Sequence, residues 1–327
     1  MNKQELLRAY ELMVLSRMFD SKMLALQRQG RLGTFASSQG HEAIQVGSVI
    51  ALKKEDWIVP YFRHWPAFIA LSYPMEMLLQ YNSGDERGME IPSNINILPV
   101  NIPVSSQIPH AVGLAWGFKK KGQKKVVVCF LGDGATSKGD FHEALNFAGV
   151  FKVPVIFICE NNQYAISVPL KRQTASKTIA EKAIAYGIEG MRIDGNNIEE
   201  IYEAVTKARE FALDGKPVLI EAFTYRLSDH TTADDASRYR SREEVENARK
   251  KDWRIVLKNK IINEGFWNES KEKKLIRKLE SQVEKAVKKF EAIKLADPLD
   301  IFKYTFNEMT SALKKQSEMF KRFYSNG

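Results

Sequence analysis

The stretch Val126–Ala165, VVVCFLGDGATSKGDFHEALNFAGVFKVPVIFICENNQYA, decides the fold that this sequence predicts. It opens with the apolar run 126–131, which is typical of a strand buried on both faces of a parallel sheet. After a Gly-Asp-Gly turn at 132–134, apolar residues recur with helical spacing over 140–151, and a second buried strand follows at 155–159. Strand, helix and strand in this length form a βαβ unit, whose crossover leaves the two strands parallel.

Strands and helices continue to alternate on both sides of this unit. We expect helices at 3–28, 110–121, 177–185 and 198–213, and strands at 57–59, 191–195 and 217–223. The alternation predicts an α/β fold, a doubly wound parallel sheet flanked by helices. We expect residues 1–240 to form this domain with a helical N-terminal segment, and residues 241–327 to form a helical C-terminal extension packed on it.

Polar residues follow the two central strands where each strand ends. Asp133 follows the first strand and Asn161-Asn162 follows the second, so these residues share one edge of the sheet, where α/β proteins bind ligands. The glycines and the start of the next helix favour a phosphate group. Asp133 would repel a bare phosphate, so we expect a divalent cation between them, and Mg²⁺ prefers such oxygen ligands.

The spacing of Gly132-Asp133-Gly134 and Asn161-Asn162 resembles the thiamine diphosphate motif. The segments GDGATSKGDFHEALNFAG, ENNQYAISVP, DHTTADDASRYRS and YFRHW together resemble the E1 α subunit of 2-oxo acid dehydrogenase complexes over nearly the whole chain. The resemblance implies a thiamine diphosphate-binding fold, of which this chain supplies the diphosphate-binding domain.

The resemblance also implies roles for individual residues. Asp133, Asn162 and the carbonyl of Tyr164 are expected to hold Mg²⁺, and His230 is the expected catalytic residue near the substrate. Three positions depart from the family pattern, because Phe62 replaces a tyrosine, Ile102 takes a place that is often serine, and Glu160 stands where some relatives have an arginine. The expected cofactor-binding residues are Phe62, Arg63, Ile102, Gly132, Gly134, Ala135, Asn162, Ala165, Ile166 and His230.

The function implied is the thiamine diphosphate-dependent oxidative decarboxylation of a 2-oxo acid, with transfer of the acyl group to a lipoyl group on E2. The resemblance extends to pyruvate and branched-chain 2-oxo acid enzymes, and acetoin dehydrogenase α chains share the motifs. By the resemblance, a second domain binds the aminopyrimidine end of the cofactor, and this chain is expected to supply only the diphosphate-binding half of the site. This implies an E1 β partner in an α2β2 heterotetramer. Thr231 occupies a position where relatives carry a serine, and it is a candidate phosphorylation site.

Other classes of protein explain the same features less well. Ser137 stands where a dinucleotide fingerprint has its third glycine, and Glu160 is then a candidate ribose acid, so a nicotinamide-dependent oxidoreductase is one alternative. A second alternative is that Gly132-Asp133-Gly134 is a plain strand-to-helix turn without a ligand. The net charge of +9 raises a nucleic-acid binder as a third, but the excess lies largely in Lys-rich helical patterns after residue 249 that also contain Glu. We therefore expect no nucleic-acid partner.

The remaining features indicate an ordinary globular enzyme. The N-terminus has no apolar signal core and no run of eighteen apolar residues occurs, so we expect a cytoplasmic protein without a membrane partner. Cys129 and Cys159 lie in predicted strands and are expected to be core residues. We interpret Glu42 as a helix N-terminal acid and His64 as a packed residue. The charged loop 225–240 is expected to be ordered by pairing between its own arginines and aspartates.

Overall fold

A five-stranded parallel sheet forms the centre of the α/β fold. The strands, in chain order, are β1 (Trp57–Val59), β2 (Val127–Gly132), β3 (Val155–Asn161), β4 (Tyr164–Ala165), β5 (Val168–Pro169), β6 (Glu189–Asp194) and β7 (Val218–Phe223). The sheet order is β1-β2-β3-β7-β6 and every neighbouring pair is parallel, while β4 and β5 form a separate antiparallel pair. The predicted parallel sheet is therefore confirmed.

Helices precede, connect and follow these strands. They are α1 (Lys3–Arg28), α2 (Glu42–Ala51), α3 (Trp65–Ala70), α4 (Met75–Asn82), α5 (Gln107–Lys120), α6 (Gly139–Phe151), α7 (Ile198–Leu213), α8 (Arg242–Arg249), α9 (Trp253–Asn263), α10 (Glu269–Glu291), α11 (Asp300–Lys303) and α12 (Ser311–Tyr324). The first of these has the predicted bounds and begins with a capping box, in which Asn2 and Glu5 satisfy each other's backbone N–H groups.

One predicted helix takes a different form. Residues 177–185 were expected to be α-helical, but the chain forms a 3₁₀ helix over Ala180–Tyr186. The carboxylate of Glu221 on β7 accepts hydrogen bonds from the backbone N–H groups of Ile179 (2.8 Å) and Ala180 (3.0 Å). A side chain distant in sequence thus caps the segment and fixes where it begins.

The core lies between the sheet and the helices on its two faces. Alternate residues of β2 and β3 point towards α5 and α6, and α2 and α7 cover the opposite face. Gly47 of α2 lies so close to α7 that an added Cβ would come within 3.0 Å of Ile201. The buried residues against α5 and α6 include Val127, Cys129, Leu131, Val155, Phe157 and Cys159, and burying a large apolar side chain contributes about 1.5–3 kcal/mol.

The structure describes residues 1–324, which fall into two compact units. The larger unit is Met1–Val287 and the smaller one begins at Lys288 and contains α11 and α12. Helices α8 and α9 therefore belong to the larger unit, and the predicted division at residue 240 stays a prediction. None of the helices within residues 1–324 combines the length and the apolar character that crossing a bilayer requires.

Candidate active site

The ends of β2 and β3 bring Asp133 and Asn162 together. Gly132 pairs with Glu160 in the parallel register, so the residues that follow the two strands lie at one edge of the sheet. Both side chains are buried, with relative exposures of 1% for Asp133 and 4% for Asn162. The backbone N–H of Asn162 donates a hydrogen bond to the carboxylate of Asp133. The predicted meeting of the two strand ends is thus present in the structure.

A cavity of about 540 Å³ opens at this edge. Its size lies in the range of small-molecule and cofactor sites. It contains the three expected metal ligands, Asp133, Asn162 and Tyr164. Of the expected cofactor-binding residues, those that line it are Phe62, Arg63, Gly132, Gly134, Ala135, Asn162, Ala165, Ile166 and His230.

Ile102 is the expected site residue that does not line this cavity. Asn101 forms a β-bridge with Tyr61 and faces the cavity, and successive residues of an extended chain point in opposite directions. Ile102 is 57% exposed and lines a neighbouring cavity of about 590 Å³ instead. This second cavity shares Phe62 and His230 with the first.

The Asp133 carboxylate is poorly solvated. Burial raises its pKa, although hydrogen bonds from Gln173 Nε2 (2.7 Å) and from backbone N–H groups oppose that shift. The Oδ1 atom of Asn162 accepts a hydrogen bond from the Tyr164 N–H at 3.3 Å, and Gln163 between them has a left-handed φ of 77°. This tight turn places Asn162 and Tyr164 beside Asp133 in the lining of the cavity. Within residues 1–324 no cluster of three or more His, Cys, Asp or Glu side chains has the geometry of a metal site.

Arg63 places a cation against the same cavity. Its guanidinium is 1% exposed and donates to the Ser37 carbonyl (2.5 Å) and to the carbonyl (2.9 Å) and Nδ1 (3.2 Å) of His230. Burial lowers the pKa of Arg63. All of its hydrogen-bond acceptors are uncharged, so the buried guanidinium is available to an anionic ligand.

His230 is held as a neutral imidazole. Its Nδ1 lies 3.2 Å from Arg63 and 3.4 Å from Arg226, and a guanidinium is only a donor, so Nδ1 accepts and the proton resides on Nε2. Burial, and then the charges of Arg63 and Arg226, lower the pKa of His230 to about 3. The sequence led us to expect proton exchange near neutrality, whereas this arrangement presents a neutral N–H donor.

Arginines order the loop 225–240, but through carbonyl groups rather than through the predicted ion pairs. Arg226 donates to the Ile166 carbonyl (2.8 Å) and the Tyr164 carbonyl (3.2 Å), and Arg240 donates to the carbonyls of Arg226 and Ser228. The predicted Arg–Asp pairing is present as an exposed Arg238–Asp235 contact at 3.7 Å. Carbonyl groups in an irregular loop lack strand partners, and guanidinium groups supply the missing donors.

Other predictions concern residues beside the cavity. Glu42 starts α2 and accepts from the Gly40 N–H and Trp253 Nε1, as expected of a helix N-terminal acid, and it also pairs with Arg17. His64 is packed as predicted, with its ring 4.2 Å from that of Phe130, and burial lowers its pKa to about 4.

The position of Glu160 contradicts one alternative from the sequence, in which this residue is the ribose acid of a dinucleotide site. Its carboxylate is fully enclosed and does not line the cavity, so it cannot contact a ribose there. The segment 104–109 resembles the part of the E1 α family that lines the cofactor, and residues 104–107 do line the cavity. Within it, Ser105 has a φ of 76° and its hydroxyl donates to the Ala135 carbonyl at 2.8 Å. The sequence did not single out the lining residues Tyr61, Asn101, Lys138 and Asp140. For all of these except Asn101, the available signal was membership of the motifs YFRHW and GDGATSKGDFHEALNFAG.

The chain is similar to known proteins over nearly its whole length. The family model described as "Dehydrogenase E1 component" matches residues 10–298. Proteins named pyruvate dehydrogenase E1 component subunit alpha are similar over most of their length. The one from Bacillus subtilis is 38% identical over 94% of this chain and 84% of its own. The one from Acholeplasma laidlawii is 40% identical over 98% and 94%, and the one from Staphylococcus aureus is 38% identical over 97% and 86%.

The resemblance inferred from the sequence motifs is therefore confirmed across nearly the whole chain. The chain belongs to the dehydrogenase E1 component family, as an α subunit of the 2-oxo acid dehydrogenase type.

Proposed function

We propose that this chain is the α subunit of an E1 enzyme that oxidatively decarboxylates pyruvate and transfers the acetyl group to a lipoyl group on an E2 protein. The family depends on thiamine diphosphate, and the similar proteins described above carry the name pyruvate dehydrogenase. The observation that carries the proposal is the single cavity that joins Asp133 and Asn162 to Arg63 and His230.

The residues at the sheet edge suit a magnesium diphosphate group. Asp133, Asn162 and the Tyr164 carbonyl offer oxygen atoms, which Mg²⁺ prefers, and a buried carboxylate gains most from a cation. Arg63 and the backbone N–H groups of residues 134–135 would contact the diphosphate. When bound, thiamine diphosphate itself supplies the electron sink for carbanion chemistry. The protein's task is then to hold the group, exclude water and place protons.

Gly134 allows the turn after β2 to approach the Asn162 segment. A Cβ on residue 134 would come within 2.7 Å of the Cβ of Ala165, so only glycine fits without a shift of the backbone. A Cβ at Gly132 would meet no atom within 4 Å, which leaves open space on the side of the cavity. This cradle agrees with the expected place of the diphosphate.

His230 would act as an oriented hydrogen-bond donor. Its Nδ1 is fixed by Arg63 and Arg226, so the Nε2 proton is the one free to meet the substrate or the lipoyl acceptor. A neutral imidazole donates a hydrogen bond to a developing oxyanion without first taking up a proton. The backbone N–H of His230 donates to Asp234 at 2.9 Å, which holds this part of the loop in place.

A partner completes the proposed site. By family resemblance, the aminopyrimidine end of the cofactor needs a glutamate from a second domain, and this chain supplies the diphosphate-binding half. We therefore propose an E1 β subunit, in an α2β2 assembly, and a lipoylated E2 acyltransferase as the partners.

Calorimetric titration of thiamine diphosphate with Mg²⁺, into the chain alone and into its mixture with the β partner, tests this function. We expect tight binding only in the mixture, followed by decarboxylation of pyruvate in preference to branched-chain 2-oxo acids or acetoin. Binding of nicotinamide dinucleotide instead, with no thiamine diphosphate binding in either sample, would overturn the proposal.

A further inference from the structure

Glu160 is a buried carboxylate directly behind the cavity. It stands near the end of β3, its exposure is 0%, and its side chain points into the layer beneath α2. Its Oε2 atom accepts hydrogen bonds from Tyr61 Oη (2.6 Å), His41 Nδ1 (2.6 Å) and Gln45 Nε2 (3.3 Å). A carboxylate with three donors on one oxygen is a strong anchor point.

The anchored groups surround the segment that presents Arg63. Tyr61 and His64 flank Phe62-Arg63, and both reach Glu160, since His64 Nε2 lies 3.5 Å from its Oε1. Gln45 Nε2 also donates to the Arg63 carbonyl at 2.9 Å. The Glu160 carboxylate therefore contacts the residues on both sides of Phe62-Arg63. It also shares Gln45 with the backbone carbonyl of Arg63.

The guanidinium of Arg63 depends on this segment for its position. Arg63 is almost fully buried, and its hydrogen-bond acceptors, the Ser37 carbonyl and the carbonyl and Nδ1 of His230, are uncharged. The contacts of Glu160 with the residues on either side of Phe62-Arg63 therefore help to set where the guanidinium meets the cavity.

We infer that Glu160 is a positioning residue for cofactor binding, which holds Arg63 in the place that a diphosphate requires. The inference rests on the proposed function. It goes beyond it because Glu160 touches neither the cavity nor the expected ligand. A residue with a merely structural role would change the stability of the fold without acting through Arg63.

Glu160→Gln tests this in the complex of the full chain with its β partner. The amide keeps the size and one acceptor oxygen, and it removes the charge. We expect the calorimetric Kd for thiamine diphosphate with Mg²⁺ to rise about tenfold or more, as is typical when a residue that orients a ligating group is lost. The KM for thiamine diphosphate should rise in parallel while the KM for pyruvate stays the same.

Asp56→Asn is the matched control. Asp56 is also a buried carboxylate, 5% exposed, but it lies before β1 at the opposite edge of the sheet and pairs with Arg209 at 2.6 Å. This variant loses a buried charge without touching the Arg63 segment. We expect its stability to fall and its Kd for thiamine diphosphate to remain unchanged.

A double-substitution cycle separates positioning from general damage. In an Arg63→Met background, Glu160→Gln should weaken cofactor binding no further, because its effect runs through Arg63. An equal loss in both backgrounds would overturn the inference. If Glu160→Gln does not fold, Gln45→Met removes the link to the Arg63 backbone, and its effect on the Kd should also vanish in the Arg63→Met background.

The outcomes also separate the inference from the proposed function. Binding by the unsubstituted complex, with the same Kd in Glu160→Gln, would overturn the inference alone. No binding of thiamine diphosphate by the unsubstituted complex would overturn both.

Discussion

Replacing Asp20 with asparagine should stabilise the protein at alkaline pH and remove part of its pH dependence. Asp20 lies on α1 with 1% exposure, and its Oδ1 accepts a hydrogen bond from Ser37 Oγ at 2.6 Å. Burial, opposed by that hydrogen bond, raises its pKa from 3.8 to about 7. The folded state therefore binds the proton more tightly than the unfolded chain, and stability falls as the pH rises from about 4 to about 7.

The magnitude follows from the two pKa values. A tenfold change in proton affinity corresponds to 1.36 kcal/mol, so a rise from 3.8 to about 7 removes about 4 kcal/mol of folding stability once Asp20 is ionised. Asparagine keeps an oxygen that accepts from Ser37 and carries no charge. We expect Asp20→Asn to be more stable than the parent by up to about 4 kcal/mol at pH 8, and to differ little from it at pH 4.

Urea denaturation of the full chain, followed by tryptophan fluorescence between pH 4 and pH 8, measures this difference. Asp252→Asn is a control of opposite sign. Asp252 is 2% exposed, and Arg17 and Arg254, each 3.1 Å away, hold its pKa below the ordinary value although burial opposes them. Its loss should destabilise the chain at pH 8. Parallel curves for the parent and Asp20→Asn across the range would refute the reasoning.

Three further substitutions test the site, and a fourth serves as a comparison. Asp133→Asn should abolish Mg²⁺-dependent binding of thiamine diphosphate, measured by calorimetry, while circular dichroism stays unchanged; unchanged affinity would remove Asp133 from the metal site. At saturating thiamine diphosphate, His230→Ala should lower turnover with a lipoyl acceptor by about 100-fold or more, the usual loss when one donor to an oxyanion is removed, and an unaffected rate would contradict this role. Gly134→Ala should destabilise the fold by about 1–3 kcal/mol, because its Cβ would meet Ala165 at 2.7 Å. Gly132→Ala should change the free energy of unfolding by less than about 0.5 kcal/mol and serves as the comparison in the same denaturation assay.

The βαβ unit was predictable because its pattern is local. Apolar runs identify β2 and β3 within one or two residues of their observed bounds, and parallel pairing then places Asp133 beside Asn162. The carboxyl ends of any two adjacent parallel strands lie at the same edge of a sheet. Placing Asp133 beside Asn162 therefore needed no knowledge of the rest of the chain.

Contacts between distant segments were not predictable in this way. Glu221 alters the expected helix at 177–185 from a strand about forty residues further along the chain. Tyr10 bonds to Glu272 and Arg17 to Asp252, and these partners lie more than two hundred residues apart. Charge patterns in loop 225–240 suggested neighbours as partners, whereas folding brought carbonyl groups within reach of the arginines.

Arg63 and Asp133 explain why cation and diphosphate are expected to bind as a pair. Both are almost fully buried, and among residues 1–324 neither forms an ion pair with another side chain. A buried charge without an ion-pair partner is unfavourable, so the free site holds two charged groups of opposite sign, neither of which has such a partner. A diphosphate alone would satisfy Arg63 and repel Asp133, and a cation alone would satisfy only Asp133. Binding of the two together relieves both charges, so each should strengthen the binding of the other.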